Sequence, residues 1–313
     1  MLNETQIEQQ NTAPQNRDIE MFLASGEHLE IYEPFGLSEL NRYLEDLQAL
    51  SLGAKFKDLG ISERRRQSGP RLIYLQDANS TTYTFTDRWD LMDGVEAPNS
   101  IALLQLRGVM RSTSALSNPG VDLMVSDLRR AYASNKISGI IIESNSGGGE
   151  SVAGTMLKNA IQERNKPVVG FAHLAASAAY RALSGADEII AAGESAEFGS
   201  IGTMISLDQK VFSKYRSRFA DFYGTDAPGK NAEFRSALAG DYKGIQELVD
   251  KKTAEFQADI RASRPIRGSE SFIRETLSGA VFAANDSKKR GLIDGIGTMS
   301  YAVKRVMALT SKY

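Results

Sequence analysis

The sequence predicts an α/β protein whose strands pair mostly in parallel, and three observations predict it. From Ser100 onward, apolar runs of buried-strand length alternate with stretches whose apolar residues recur at helical spacing. Strands that alternate with helices favour parallel pairing, because each helix carries the chain back across the sheet. Glycine and small hydroxyl residues gather where strands hand over to helices. They do so at Ser146-Gly147-Gly148-Gly149, at Ser177 and at Gly199-Ser200-Ile201-Gly202.

Residues 1–20 are poor in apolar side chains, which is the composition of a disordered segment. From Gly26 the text reads as a short strand, a turn at Pro34 and a helix whose Leu37, Leu40, Leu44 and Leu47 share one face. Arg64-Arg65-Arg66 is a solvated basic run rather than a nucleic-acid patch. Leu72 to Phe85 alternates enough for one or two strands, turned near Asp77-Ala78-Asn79. A loop from Asp93-Gly94 to Pro98-Asn99 closes this region. Residues 1–95 are therefore expected to form an appended α+β region and residues 96–313 the main domain.

In the main domain Ile101–Leu106 is a strand, and Val121, Met124, Val125, Leu128 and Tyr132 make a helical face. Gly139–Ile142 is a buried strand, followed by a loop through Ser144–Gly149. The next helix is expected to turn Val152, Met156, Leu157, Ala160 and Ile161 inward. Pro167–Ala172 is the central strand, and Asp187–Ala192 a further one. Gln209–Phe219 reads as a helix. Ile245, Leu248, Val249, Lys252, Phe256 and Ile260 place a long helix after it, with Lys252 at an otherwise apolar position. Phe282–Gly297 forms a closing helix–turn unit, and a short helix ends the chain at Tyr313.

Composition narrows the chemistry. A chain of 313 residues, 42% hydrophobic and 24% charged, has the makeup of a soluble globular protein of one large or two ordinary domains. A net charge of −2 implies no general attraction to nucleic acid or to an anionic membrane. There is no cysteine, so disulfides, thiolate metal sites and cysteine catalysis are all excluded. The polar N-terminus lacks a signal-peptide core, and the sequence has no apolar run long enough to span a bilayer. A cytoplasmic protein without a membrane anchor is expected. The histidines are only two, His28 and His173. Both are read as structural, and neither a Ser-His-Asp triad nor a zinc site is expected.

The chemistry-bearing residues then fall into one constellation. Ser177 lies in Ala175-Ala176-Ser177-Ala178-Ala179-Tyr180, a lone hydroxyl among alanines small enough to let a substrate backbone approach. The bland alternative is an N-cap serine that starts a helix. Glycines 147–149 sit between a strand and a helix. Without the Lys-Ser/Thr of a phosphate loop they suit an oxyanion hole better than a nucleotide, and no cofactor is expected. Lys230, in Ala227-Pro228-Gly229-Lys230-Asn231, can serve as a base if burial brings its pKa toward about 7 to 8. Lys210, Lys214 and Lys243 are the other candidates for that base.

The order SNSGGGES, AASAAY, GSIGT, VFAANDSKKRGLIDGIG resembles the signal peptide peptidase A family of Ser-Lys peptidases. That resemblance implies the Clp-protease/crotonase-like fold of repeated strand–strand–helix units. It implies Ser177 as nucleophile, Lys230 as general base, and an oxyanion hole at Gly148 and Gly149. Glycine stands where the family's loop commonly has proline, and APGKNAEF around the lysine departs from the common form. Ser-Ala-Ala-Tyr and the segment GEHLEIYEPFGLSELNRYLEDL are similar to the branch found in tailed phages and prophages. The resemblance therefore implies processing of scaffold or capsid proteins during head assembly, in host cytoplasm or procapsid. It also implies a homo-oligomeric ring, for which the helix at 242–260 and the segment 282–297 are candidate interface elements by their apolar residues. Alternative readings are a cytoplasmic bacterial peptidase of the same family, an assembly protein of this fold with a silent site, and acyl-CoA chemistry on the related crotonase fold.

Overall fold

The computed structural model describes residues 29–31, 70–75, 83–85, 100–114, 119–207 and 218–313. The segment 1–20, the helix expected at 37–47, the Arg64–Arg66 run and most of the helix expected at 209–219 lie outside them, as do His28, Lys210 and Lys214. By their contacts the described residues divide into two compact units. One comprises Leu29–Gly202 and Thr253–Tyr313, the other runs from Thr203 to Lys252.

The first unit is built on a sheet of nine strands among the described residues. Its centre is three parallel strands, β4 (Ser100–Arg107), β5 (Ile137–Ser146) and β7 (Val168–Ala176). On one side β2 (Arg71–Leu75) pairs antiparallel with β4, and β3 (Tyr83–Phe85) with β2. On the other side β7 has two parallel partners in succession, β8 (Glu188–Ala191) and then β9 (Glu197–Gly199). Two short strands complete the sheet, β10 (Val281–Ala283) against β9 and β11 (Gly295–Ile296) against β8.

The central strands are apolar almost without alternation because both faces of the sheet are covered. Ala102, Leu104, Leu106, Ile140, Ile142 and Val168 enter the larger core, under helices α1 (Val121–Ala133) and α2 (Ser151–Gln162). Ile101, Leu103, Ile141 and Val169 face the opposite way. They meet Ala302, Val303, Val306 and Leu309 of α8 (Met299–Leu309), which recur on one helical face. Fully burying each such Leu or Ile contributes about 1.5–3 kcal/mol. Gly139 lets α8 come this close, since a Cβ there would lie 2.3 Å from Val306 Cγ1.

A strand–strand–helix repeat is visible in this unit. After β4 the chain makes a bridge at Met110 and then enters α1. After β5 it makes β6 (Gly148–Glu150) and enters α2. Met110 pairs in parallel with Gly149, so the two short second strands lie side by side as the two long first strands do. The α/β class and this repeat are the expected architecture. Strands β2 and β3, from the N-terminal region, extend the same sheet, and β1 (Leu29–Ile31) pairs antiparallel with β6.

One expected face is corrected. Val152 was expected to point inward in α2, but it is 61% exposed. The buried face instead runs through Ala153, Gly154, Leu157, Ala160 and Ile161. Gly154 lies on that buried face, where an added Cβ would meet the backbone of Ala178.

The second unit contains α4 (Ala232–Leu238) and the first turns of α5 (Lys243–Ser263), a helix close to the one expected over Ile245–Ile260. The rest of α5, with α6 (Glu270–Thr276) and α7 (Ala284–Arg290), belongs to the first unit.

Candidate active site

Strand β7 runs directly into Ser177, and α3 (Ala178–Leu183) begins at the next residue. Ser177 has φ 55° and ψ −126°, a backbone conformation that costs a non-glycine residue on the order of 1–3 kcal/mol. The strain is imposed from both sides. The Ser177 amide donates to the Gly199 carbonyl at 2.8 Å, and its carbonyl accepts from the Arg181 amide at 2.9 Å. The side chain is fully buried, and Oγ has no hydrogen-bond partner among the described residues. It does not cap α3, so the N-cap explanation for this serine fails. An orphaned hydroxyl on a strained strand-to-helix turn destabilises the fold, and it is the geometry in which an α/β sheet presents a nucleophile.

The turn is also aimed by an irregularity in β7. The pairing with β5 passes from Ser144↔Ala172 to Asn145↔Leu174, so His173 is an extra residue. Such a bulge re-aims the strand beyond it. Here it marks the change of partner from β8, paired through Ala172, to β9, paired from Leu174. Ser144 Oγ holds the bulge by donating to the Leu174 carbonyl at 2.8 Å. The imidazole of His173 points outward, with Nε2 3.8 Å from Glu143 and the ring edge-on to Phe171.

Beside Ser177 runs the glycine segment. The register pairs Ser146 with Ala175, which brings Gly147–Gly149 alongside the approach to Ser177, and α3 touches β6. The Gly148 amide donates to Ser146 Oγ at 3.2 Å, and that hydroxyl donates to the Gly108 carbonyl at 2.7 Å. Met110 closes one edge of β6. Its amide donates to the Gly148 carbonyl at 2.8 Å, and its carbonyl accepts from the Glu150 amide at 3.0 Å. A Cβ on Gly149 would sit 2.2 Å from the Met110 carbonyl oxygen, so glycine is required there by the crossing of two backbones.

Helix α2 buttresses the turn through a contact that the sequence reading missed. A Cβ on Gly154 would lie 2.8 Å from the Ala178 carbonyl oxygen and 3.1 Å from its Cα. A glycine inside an otherwise good helical pattern was the available signal. The Ala178 amide is a second omission. As the first amide of α3 it has no carbonyl one turn back, which leaves it as a candidate donor to a developing oxyanion.

A buried ionic knot holds α2, α3 and α5 together. Lys158 Nζ bonds the Asp259 carboxylate and Ser263 Oγ, the latter at 2.6 Å. Arg181 Nε reaches the same carboxylate at 3.0 Å, and its guanidinium lies over the Phe256 ring. Lys158 is thus a buried lysine in the unit of Ser177 whose donors are already engaged.

Lys230 belongs to the other unit, where it is exposed in a turn. That turn is well braced. The Lys230 amide donates to the Ala227 carbonyl at 3.2 Å, Asn231 takes a left-handed conformation, and Arg235 bonds the Pro228 carbonyl while stacking on Tyr223. Lys243 is exposed and 3.7 Å from Glu247. Among the described residues no acidic or histidine cluster fit for a metal occurs, and no helix is long and apolar enough to cross a membrane.

Residues 160–312 match the family model of Peptidase family S49. The chain is 28% identical over 231 residues to Protease 4 of Haemophilus influenzae, covering 71% of this chain and 37% of that protein. It is 24% identical over 312 residues to the chloroplastic serine protease SPPA of Arabidopsis thaliana, covering 93% of this chain and 42% of that one. The chain thus spans well under half the length of these two proteases. Among solved structures it is similar to an enoyl-CoA hydratase/isomerase family protein from Silicibacter pomeroyi, at 14% identity and a TM-score of 0.39 over 67% of this chain and 79% of that one. The sheet order and register described above, rather than that loose likeness, carry the fold. Residues 160–312, just under half of the chain, thus resemble a peptidase family, and both of these relatives are named as proteases.

Proposed function

We propose that the protein is a serine endopeptidase that works through an acyl-enzyme, with Ser177 as nucleophile and Lys230 as general base. The observation that carries the reading is Ser177 itself, strained at the end of the central strand with an unpartnered Oγ. Lys230 takes the hydroxyl proton as Oγ adds to the scissile carbonyl. Amides of the glycine segment, Gly148 or Gly149, together with that of Ala178, stabilise the oxyanion, each donor contributing about 3 kcal/mol. The lysine then gives its proton to the leaving amine, and water cleaves the ester in the reverse sequence. The base must come within hydrogen-bond reach of Oγ and be shielded from water while it acts. Because Lys230 is exposed, that shielding is assigned to bound substrate or to a neighbouring copy of the chain.

The finer reading, processing of capsid or scaffold proteins within a ring of subunits, is favoured by the phage-like SAAY motif and N-terminal segment. The exposed Phe219, Phe222 and Tyr242 in the second unit are suited to contacts between copies.

The test combines three variants with a serine-directed fluorophosphonate. Ser177→Ala is expected to abolish labelling and to lower hydrolysis of an unfolded protein by at least about 10³-fold while folding normally. Lys230→Met and Lys230→Arg are expected to do the same to hydrolysis, since neither can accept a proton. Wild-type rates in Ser177→Ala remove the nucleophile. A wild-type rate and pH profile in Lys230→Met sends the search for the base to Lys210, Lys214 or Lys243.

A further inference from the structure

We propose that the outer edge of β6 is a peptide-holding edge occupied in this structure by the chain's own residues Leu29–Ile31, which keep Ser177 closed until they are displaced. The inference rests on the reading of Ser177 as nucleophile and adds a control element to it.

The argument starts from strand alternation. Met110 takes the Gly148 carbonyl and the Glu150 amide. Successive backbone groups of a strand point to opposite edges, so the amide and carbonyl of Gly149 face away from Met110. On that side lies β1, antiparallel, in the register Leu29↔Glu150, Glu30↔Gly149, Ile31↔Gly148. Glu30 therefore faces the polar groups of Gly149, one of the two glycines nominated as oxyanion donors. Strand β1 also touches α3, the helix that begins after Ser177. An extended segment lying against both the glycine strand and the nucleophile turn stands where the backbone of a peptide would lie.

Two further observations agree. Ser177 is fully buried, so no substrate carbonyl reaches Oγ without a displacement. Among the described residues, β1 is joined to the unit by a three-residue ladder with β6 as its one strand partner. A ladder of three residues carries few backbone hydrogen bonds, so it can be exchanged for a competing strand.

The experiment uses the full chain in two backgrounds. In Ser177→Ala, which cannot turn over, a fluorescent peptide of the sequence GEHLEIYEP is titrated with and without Glu30→Pro. The proline removes the amide of Glu30 that faces Gly149 and so frees the edge. The peptide is expected to bind the Glu30→Pro form at least about tenfold more tightly, because affinity scales with the fraction of open sites. With Ser177 intact, Glu30→Pro is expected to speed fluorophosphonate labelling by a similar factor. Equal peptide affinities in the two forms, or binding to neither, overturn the proposal. Equal labelling rates at Ser177 overturn the closure while leaving the nucleophile in place. The expected peptide result with no labelling of any form keeps the edge and removes the nucleophile. Should Glu30→Pro fail to fold, Leu29→Gly with Ile31→Gly weakens the strand entropically and makes the same comparison.

Discussion

Tyr180 shows how a single side chain underwrites the turn at Ser177. It lies three residues past Ser177, is fully buried, and its hydroxyl donates to the Leu292 carbonyl at 2.8 Å. Tyr180→Phe keeps the ring but leaves that carbonyl without its donor, at a cost of about 1–3 kcal/mol. A lowered urea midpoint and slower labelling of Ser177 are the expected results, and an unchanged midpoint refutes the tie. At this scale the placing of Ser177 between a strand and a helix was legible, because an apolar run of strand length ends just before it. The work of Ser144 and Ser146 was not. Both stand in SNSGGGES, but what they bond, the Leu174 and Gly108 carbonyls, depends on which strand lies alongside.

Among the elements, the contact of α2 with α3 bears on the position of Ser177. Gly154→Ala puts a methyl where only 2.8 Å separates it from the Ala178 carbonyl oxygen. Overpacking of this kind costs about 1–3 kcal/mol, and α3 yields more readily than the sheet. Labelling of Ser177 is therefore expected to fall while most of the stability remains, so a Gly154→Ala protein that labels at the wild-type rate counts against the contact. The long elements could be read in advance, since β4, β5, α1 and α5 each carry several turns or pairs of apolar periodicity. The three-residue β9 could not, nor the bulge at His173, because neither is long enough to show a period. The wrongly oriented Val152 has the same origin. Its side chain fits the helical pattern, but the buried face of the helix runs through Ala153, Gly154 and Leu157 instead.

For the whole molecule, titration gives a test of how the units respond to pH. Burial raises the Tyr132 and Tyr180 hydroxyls well above the usual tyrosine range, and burial with a hydrogen bond to Asp187 raises Tyr313. A raised pKa means that the folded state holds its proton after the unfolded chain has lost it. The stability this gives is complete below the unfolded value of about 10 and is lost progressively above it. Urea midpoints are thus expected to be flat with respect to these groups from neutral pH to about 10, then to drop. Tyr180→Phe should make that drop shallower, and an identical slope in the variant rejects the assignment. The fold class could be read from the sequence because a sheet covered on both faces needs apolar strands throughout. The pairing of β1 with β6 could not, since nothing local in Leu29–Ile31 specifies a partner so distant in the chain.

The bonds around Ser177 also set a timetable for biosynthesis. The Gly199 carbonyl that fixes its backbone belongs to β9, which rests on β10, and Ser200 donates its amide to the Ala280 carbonyl. The Tyr180 hydroxyl waits for Leu292. A ribosome that has delivered the serine, the glycine segment and most of the sheet has still not delivered the residues that complete the turn. Until Leu292 has cleared the exit tunnel, the growing chain carries Ser177, the glycine segment and Lys230 but not the residues that complete the turn around Ser177.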